Sequence, residues 1–279
     1  MVLKSYAKIN LSLRINKRLS NGFHDLQSIY CLIDLHDNIT LNRIKNVNKD
    51  KVKFSGPFSK FVSSSNNSIT KSLNLMRKLG LISNYFSIKV HKKIPVYAGL
   101  GGGSSNAATI INFLMKNKIK RKKLNKITEQ IGSDLKLFHF SQGYLKNLSS
   151  VVKMRKKHNL NFLLIYPNIK SSTKKIFSKV KNYSKKGFIN QNYLRKKNTF
   201  IKTLIKLNND LQSVVVNKYP LIHKLLRDIN NSKGCYFSRV TGSGSVCYGL
   251  FINYKCSKAA LKNLRKKYPK FWFSIAKTI

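Results

Sequence analysis

The chain has 279 residues, of which 42% are hydrophobic, so it is long enough for one large domain or two of ordinary size. Its 55 Lys and Arg residues against 8 Asp and Glu residues give a net charge of +47. No apolar run is long enough to span a membrane, which excludes a membrane-spanning class. The four cysteines are scattered, and they predict reduced thiols in a cytoplasmic protein.

The positive charge first suggests nucleic-acid binding, because basic side chains neutralise phosphates. However, 45 of the 55 basic residues are Lys, whereas forked contacts to bases and phosphates prefer Arg. The lysines are also spread along the whole chain, so they indicate compositional drift more than a binding stripe. Anionic small molecules would still be attracted to such a surface.

The first half of the chain predicts strands followed by helices. Alternating residues predict a strand at 2–15, and Asn21-Gly22 predicts a tight turn before a second strand. His-Asp-Asn at 36–38 is expected to turn the chain into a third strand at 39–44. The later elements expected here are a helix at 68–79 ended by Gly80, a strand at 85–91, a helix after the glycine-rich stretch, a basic helix at 122–131 and a strand-rich segment at 135–145.

The second half mixes helices with a small, antiparallel sheet. The charged stretch at 153–159 predicts a boundary that divides the chain into domains 1–155 and 156–279. Residues 181–206 are rich in Lys and Asn and are expected to be partly mobile. The expected strands are 161–167, 236–240, 246–253 and 271–276, and the expected helices are 173–180, one that starts at 208–211, 220–229 and 257–267.

The most informative stretch is the glycine-rich run at 94–111, which reads IPVYAGLGGGSSNAATII. A glycine-rich turn that leads into a helix offers backbone N–H groups and the positive end of the helix dipole to phosphate. Ser104 or Ser105 is expected to cap this helix. The run lacks the Lys of a Walker loop and the spacing of a dinucleotide fingerprint. It therefore predicts a third kind of phosphate-binding loop, against the alternative of a flexible loop before an ordinary helix.

Two charged residues suit phosphoryl transfer, which needs positioning, charge stabilisation and a proton acceptor. Asp134 follows a Gly-Ser turn and is a candidate for the proton acceptor, although a turn cap would look the same. Lys8 is a candidate partner for that carboxylate, although it could equally be a surface lysine of a strand. Phe23 and His24 could stack on and hydrogen-bond to a flat ligand, or could complete a core edge. The histidines show no metal-ligand spacing, so no metal site formed by protein side chains is predicted.

Six segments in chain order resemble the motifs of the GHMP kinase superfamily, and among its members those that act on a cytidyl diphospho-sugar alcohol. They run from about residue 4 to 252: AKINLSLRI, RLSNGFHDLQSI, IPVYAGLGGGSSNAA, IGSDL, NNDL and RVTGSGSVCYGLF. The resemblance implies an α+β fold with the two-domain GHMP kinase architecture. Its N-terminal domain would resemble domain 2 of ribosomal protein S5, and its C-terminal domain would be ferredoxin-like.

The resemblance also implies an activity, which is ATP-dependent phosphorylation of the 2-hydroxyl group of 4-diphosphocytidyl-2-C-methyl-D-erythritol. By this resemblance Asp134 is the general base and Lys8 is its charge partner. The expected ATP-binding residues are Lys92, Pro95, Gly99, Leu100, Gly101, Gly102, Gly103, Ser104 and Ser105. The expected substrate-binding residues are Asn10, Thr173, His24 at the edge of the cytosine, and Phe23 and Phe177 on its two faces.

The expected partners are therefore ATP, accompanied by Mg²⁺, and a small cytidyl substrate, with no specific nucleic acid, no membrane, and a monomer or homodimer. Three features depart from the motifs of the resembling kinases. Leu135-Lys136 replace a usual Val-Pro, Phe23 replaces a usual Tyr, and NLSSVVKM replaces a glycine-containing stretch after Gly143. Two other functions stay open, namely a basic nucleic-acid-binding protein and a GHMP kinase for another small alcohol.

Overall fold

The computed structural model describes residues 2–20, 22–116, 121–187, 189–190, 192 and 194–279, and it divides into two compact units. The first unit comprises the segments up to Lys8, Leu35–Val96 and Gly101–His139. The second unit comprises Ile9–Asp34, Tyr97–Leu100 and Phe140–Ile279. The predicted division into domains 1–155 and 156–279 stays a prediction.

The first unit contains helices that pack through their apolar faces. Ala107, Ala108 and Ile111 lie in a buried cluster with Leu75 and Met76. The helices are α1 (Ser68–Lys78), α2 (Gly102–Leu114) and α3 (Arg121–Ile131), with 3₁₀ turns at Ser59–Phe61 and Ser133–His139.

Helix α1 begins and ends where its sequence predicts. Asn67 caps its first turn, because its side-chain oxygen accepts a hydrogen bond from Thr70 N at 3.0 Å. Gly80, with φ of +64°, follows the end of the helix. The predicted helix at 68–79 is therefore confirmed.

Two strands contribute residues to both units, and they are β1 (Val2–Asn10) and β3 (His24–Ile44). In the first unit, residues 38–44 of β3 pair antiparallel with β5 (Tyr85–His91), as the sequence predicts for 85–91. β5 also pairs parallel with β4 (Lys51–Ser55). This sheet and α1 enclose a core that includes Ile39, Ile88 and Leu73.

The second unit contains the remaining strands, and five helices lie among its described residues. Residues 24–31 of β3 pair antiparallel with β2 and with β6, and β6 pairs with β7. The strands are β2 (Arg14–Arg18), β6 (Gln142–Asn147), β7 (Ser150–Lys153), β8 (Asn161–Tyr166), β9 (Cys235–Val240), β10 (Cys247–Phe251) and β11 (Trp272–Lys277). The helices are α4 (Thr173–Phe177), α5 (Lys197–Lys206), α6 (Leu211–Lys218), α7 (Pro220–Asn230) and α8 (Tyr254–Lys267).

The last four strands form one antiparallel sheet in the order β11-β8-β10-β9. Helix α7 packs on β9 and β10, and helix α8 packs on β8 and β11. Strand, helix, strand, strand, helix and strand in this sheet order form a ferredoxin-like unit. The ferredoxin-like prediction for the second half of the chain is therefore confirmed.

Two local predictions are wrong, and the stretch that was expected to be partly mobile contains a helix. Strand β3 is continuous through residues 36–38, where a turn was expected, because Asp37 is fully buried and holds an internal ion pair. Ser133–His139 form a 3₁₀ helix inside the segment that was expected to be strand-rich. Helix α5 lies in the Lys- and Asn-rich stretch, where Phe200 and Leu204 supply buried apolar anchors that composition hides.

Several features bear on the predicted compartment and turn. The four cysteines are free, and Cys31 and Cys247 are buried. Within the described part of the chain, no helix combines the length and the apolar character needed to cross a membrane. Asn21 of the predicted tight turn lies outside the described residues, whereas Gly22 has φ of +81°.

Candidate active site

The glycine-rich loop ends in the N-terminus of helix α2. Gly101 is the N-cap residue and has φ of +69°, a left-handed conformation that L side chains rarely adopt. The first backbone bond of the helix runs from Ser105 N to Gly101 O at 2.8 Å. The N–H groups of Gly102, Gly103 and Ser104 precede that bond, so they lie at the end of the helix that attracts anions.

The predicted serine cap is wrong, because the helix begins before both serines. Ser105 is buried, and its hydroxyl donates to Tyr6 O at 2.6 Å and lies 2.7 Å from the hydroxyl of Ser5. It therefore ties α2 to strand β1. The serine pair marks the first turn of the helix, and glycine occupies the cap.

Lys8 and Asp134 form an ion pair in the first unit, with 3.5 Å between Nζ and Oδ2. The lysine side chain is 3% exposed, whereas the aspartate side chain is 43% exposed. A Cβ atom added at Gly101 would lie 3.1 Å from Lys8 Cγ, so the lysine stem runs directly beside the loop backbone. The pair therefore places an accessible carboxylate and a buried ammonium group next to the start of α2.

The position of Asp134 follows from its neighbours in the 3₁₀ helix. Leu135 and Leu137 are buried, so their side chains anchor this 3₁₀ helix. Leu135 N donates to Gly132 O at 3.2 Å, which closes the turn that contains the aspartate. The Leu-Lys that replaces the usual Val-Pro therefore still holds the carboxylate at the surface.

Lys92 is almost completely buried in the first unit, with 2% of its surface exposed. Its ammonium group forms an ion pair with Asp37 and donates to Asn106 Oδ1 at 3.0 Å. Burial lowers the pKa of Lys92, and the carboxylate of Asp37 opposes that shift. Pro95 is also buried. Contact between Lys92 or Pro95 and ATP stays a prediction.

In the second unit, the turn at 241–245 brings together three of the predicted site residues. Thr241 Oγ1 accepts from Asn10 N at 3.1 Å and donates to Gly99 O at 3.3 Å. Ser243 Oγ lies 2.9 Å from Thr173 Oγ1. Gly99 has φ of +78°, and a Cβ atom there would collide with Thr241 O, so only glycine fits this approach.

The predicted aromatic residues also belong to the second unit. The rings of His24 and Phe177 lie 5.2 Å apart, and Phe177 packs partly on the hydrophobic core. Phe23 keeps 50% of its surface exposed. Burial and the nearby charge of Arg18 lower the pKa of His24, which favours the neutral imidazole, a form that can both donate and accept.

Sequence reasoning missed several residues at these positions. Tyr183 lies 6.4 Å from His24, inside the segment that matched no motif. Tyr97 is 55% exposed and has φ of +58°, two residues before Gly99. Thr241 and Ser243 could have been found, because their Gly/Ser turn is visible in the sequence. Asp37 could not have been found from the sequence, because the stretch His36-Asp37-Asn38 is typical of a turn.

The described residues contain no group of three or more His, Cys, Asp or Glu side chains that could hold a metal ion. The prediction that protein side chains form no metal site stays a prediction. Phosphate-bound Mg²⁺ needs few protein ligands, because it keeps several waters and binds phosphate oxygens.

Two family models match the chain. The model described as the GHMP kinases N terminal domain matches residues 67–139, which include the glycine-rich loop and Asp134. The model described as GHMP kinases C terminal matches residues 196–270, which include helix α5 and the turn at 241–245.

Curated relatives match over the whole chain. A 4-diphosphocytidyl-2-C-methyl-D-erythritol kinase from Pelagibacter ubique (strain HTCC1062) is 38% identical over 282 residues, covering 99% of this chain and 98% of that protein. A kinase of the same name from a Wolbachia of Brugia malayi (strain TRS) is 30% identical and covers 99% of this chain and 98% of that protein.

Solved structures show the same fold. A crystal structure of 4-(cytidine 5'-diphospho)-2C-methyl-D-erythritol kinase superimposes with a TM-score of 0.75 at 19% identity, over 99% of both chains. Homoserine kinase from Cytophaga hutchinsonii ATCC 33406 gives a TM-score of 0.71 at 16% identity, over 100% of this chain and 93% of that chain. At these identities the likeness concerns the fold, and it agrees with the α+β GHMP kinase architecture expected from the sequence.

Proposed function

Because the chain belongs to the family of 4-diphosphocytidyl-2-C-methyl-D-erythritol kinases within the GHMP kinases, we propose that it phosphorylates that compound with ATP. The acceptor is the 2-hydroxyl group, and the donor is the terminal phosphoryl group of ATP. The reaction belongs to the synthesis of isoprenoid precursors by the non-mevalonate route.

The observation that carries the proposal is the Lys8–Asp134 pair beside Gly101. One lysine pairs with the proposed catalytic carboxylate and runs beside the backbone that leads into α2. A carboxylate that accepts a proton is thereby held next to N–H groups that suit phosphate. Phosphoryl transfer needs little more from a protein than this positioning and charge stabilisation.

Asp134 accepts the proton of the 2-hydroxyl group as its oxygen bonds to the terminal phosphorus atom. The bond between that phosphorus and the bridging oxygen breaks, and ADP leaves with the electron pair. Lys8 pairs with Asp134 and offsets negative charge on the transferring group. Residues 99–105 hold the phosphates of ATP through backbone N–H groups and the hydroxyl of Ser104.

Recognition of the acceptor is assigned to the second unit. His24 hydrogen-bonds to the edge of the cytosine, and Phe23 and Phe177 cover its faces. Asn10 and Thr173 contact polar groups of the substrate nearby. Both are linked to the turn at 241–245, which supports one recognition surface.

Mg²⁺ accompanies ATP in this proposal and is held chiefly by the phosphates, whose negative charge it partly neutralises. The protein works in the cytoplasm, which is supported by four free cysteines. It acts as a monomer or a homodimer and has no specific nucleic-acid partner.

The test is an ATP-consumption assay with three acceptors, namely the cytidyl substrate, mevalonate and homoserine. We expect ATP use with the cytidyl substrate alone, with one ADP formed per phosphorylated product. The purified Asp134→Asn variant is the control that measures ATP use by contaminating kinases. Preferred use of mevalonate or homoserine would assign another alcohol, and no ATP use with any acceptor would overturn the kinase assignment.

A further inference from the structure

Lys92 lies in a buried polar cluster that has no exposed face. Asp37 is 0% exposed, and Asn106 is also buried. The amide of Asn106 donates to Asp37 Oδ2 at 2.9 Å and to Ser5 Oγ at 2.8 Å. The other carboxylate oxygen accepts from Lys93 N at 2.7 Å and Ile94 N at 2.9 Å. The ammonium group is thus held by partners inside the first unit.

The same cluster lies beneath the first turn of α2. A Cβ atom added at Gly102 would lie 3.4 Å from Lys92 Nζ and 3.0 Å from Ile94 Cγ2. Asn106 belongs to α2 itself, one helical turn after Gly102. Strand β3, the segment after strand β5 and helix α2 therefore meet at one ion pair.

A buried ion pair of this kind is weak evidence for a stabilising role. Removing two charges from water is costly, and the attraction inside the protein roughly offsets that cost. An apolar cluster would stabilise the unit at least as well. The directional bonds of a buried charge, however, fix the position of a backbone more narrowly than apolar packing does.

We propose that Lys92 is a positioning residue, whose bonds to Asp37 and Asn106 fix the first turn of α2 and the N–H groups of Gly102 and Gly103. The inference rests on the proposed binding of ATP phosphates at this turn. It assigns Lys92 an action through the helix in place of direct contact with ATP. The discriminating residue is Asp37, because a fully buried side chain cannot touch the nucleotide.

The experiment compares ATP affinity and steady-state kinetics in Lys92→Met, Asp37→Asn and the double variant. Asp37→Asn keeps an oxygen for the two backbone N–H groups, and it removes both the negative charge and the acceptor oxygen that Lys92 and Asn106 share. We expect Asp37→Asn and Lys92→Met to lower kcat/KM for ATP by up to about 100-fold, as small displacements of a binding site do. The double variant restores neutrality, so it should recover part of the loss, while KM for the cytidyl acceptor stays nearly unchanged in all three.

Lys93→Met is the matched control, because it removes the same charge from an exposed neighbouring residue. Normal ATP affinity in Asp37→Asn, together with equal losses in Lys92→Met and the double variant, would show direct contact and overturn the inference. Reduced melting temperature with unchanged ATP affinity in the folded protein would also overturn it. Asn106→Leu keeps both charges and removes the bonds of the amide to Lys92, Asp37 and Ser5, so it provides the test if a charge variant does not fold.

Gly102→Val in the same series separates this inference from the proposed function. If Gly102→Val binds ATP normally, the phosphate site at α2 fails, and the inference fails with it. If Gly102→Val loses ATP affinity while Asp37→Asn keeps it, the phosphate site stands and only the role of Lys92 is wrong.

Discussion

Asp134 is the residue on which turnover depends most in the proposed reaction. Asp134→Asn keeps the size of the side chain and removes its ability to accept a proton. We expect turnover to fall by about 10²–10⁴-fold, the usual contribution of a general base, with ATP affinity nearly unchanged. Initial rates with the cytidyl substrate and calorimetric titration with ATP measure the two effects.

Asp228→Asn is the control, because it makes the same change from carboxylate to amide at a residue that has no part in the proposed reaction. Asp228 binds Lys267 at 2.6 Å and Tyr268 at 2.5 Å within the second unit, so its loss should lower stability and leave the folded enzyme active. Normal turnover in purified Asp134→Asn would contradict the assignment of the base.

Phe177 packs partly on the core and is proposed to stack on the ligand, and its variants can separate the two roles. Aromatic stacking on a base is worth about 1–3 kcal/mol, so Phe177→Ala should raise KM for the cytidyl substrate by roughly 5- to 150-fold. ATP affinity should be nearly unchanged. Because the ring also packs on the core, the melting temperature should fall as well.

Phe177→Leu distinguishes the two roles, because leucine keeps most of the apolar volume and loses the aromatic face. We expect Phe177→Leu to melt close to the wild type and still to show the raised KM. If Phe177→Leu has a normal KM, the residue is a core residue and the stacking assignment is wrong. His24→Ala should reduce the preference for cytosine over uracil more than it reduces overall affinity, because hydrogen bonds read the base edge.

The start of helix α2 is the element whose geometry should be least tolerant of change. Gly101→Ala places a Cβ atom on a left-handed residue, which costs about 1–2 kcal/mol of stability. That atom would also lie 3.0 Å from Phe138 Cζ and 3.1 Å from Lys8 Cγ. We therefore expect lower stability together with weaker ATP binding and slower turnover.

Gly80→Ala is the matched control, because Gly80 is also left-handed, with φ of +64°, but a Cβ atom there meets nothing within 4 Å. It should lose a similar amount of stability and keep its ATP affinity. Equal kinetics in the two variants would show that the geometry of the α2 start does not matter for ATP.

Helix α5 should become less stable as the pH falls, because it packs on a buried histidine. His158 stacks on Phe200 at 4.3 Å, and its Nε2 donates to Leu194 O at 2.7 Å. Burial lowers the pKa of His158, the Leu194 bond opposes this, and the charges of Lys197 and Lys156 lower it further. The folded state therefore binds this proton more weakly than the unfolded state, whose pKa is about 6.5.

The sign of the effect follows from proton linkage. Stability is complete above about pH 6.5 and falls as the pH drops from 6.5 through the lowered pKa of the folded state. The melting temperature should fall between pH 7.5 and 5.5, and exchange of amide hydrogens in α5 should speed up. His158→Phe should show a shallower dependence on pH, and an unchanged slope would exclude this histidine as the cause.

The sequence predicts elements well where local signals decide them. Helix α1 has an Asn cap and a Gly stop, and strand β5 has clear alternation, so both were predicted almost to the residue. Prediction failed where contacts between residues far apart in the sequence determine the local structure. Strand β3 runs through His36-Asp37-Asn38 because Lys92, 55 residues away, neutralises Asp37. Glycine displaced serine as the cap of α2 for a similar reason, since Ser105 is used by strand β1.

At the scale of the whole molecule, motif order predicted the fold and the chemistry better than composition did. The ferredoxin-like sheet depends on long-range pairing of β8 with β10 and β11, which composition cannot show. The resemblance supplied that order, and it also named Lys8 and Asp134, which the structure brings together. It gave no hint of Tyr183 beside His24, because that segment matches no motif.

The last prediction concerns the surface of the whole protein, which has a net charge of +47. If lysine enrichment is compositional drift, duplex DNA should bind weakly, without sequence preference, through counterion release alone. The logarithm of the association constant should then fall linearly with the logarithm of salt concentration, and binding should nearly vanish at physiological salt. Fluorescence anisotropy with one duplex and its scrambled sequence measures this, and Asp134→Asn should bind DNA as the wild type does. A complex that prefers one sequence over its scramble and persists at physiological salt would instead support a nucleic-acid-binding function, because base contacts add affinity that salt does not remove.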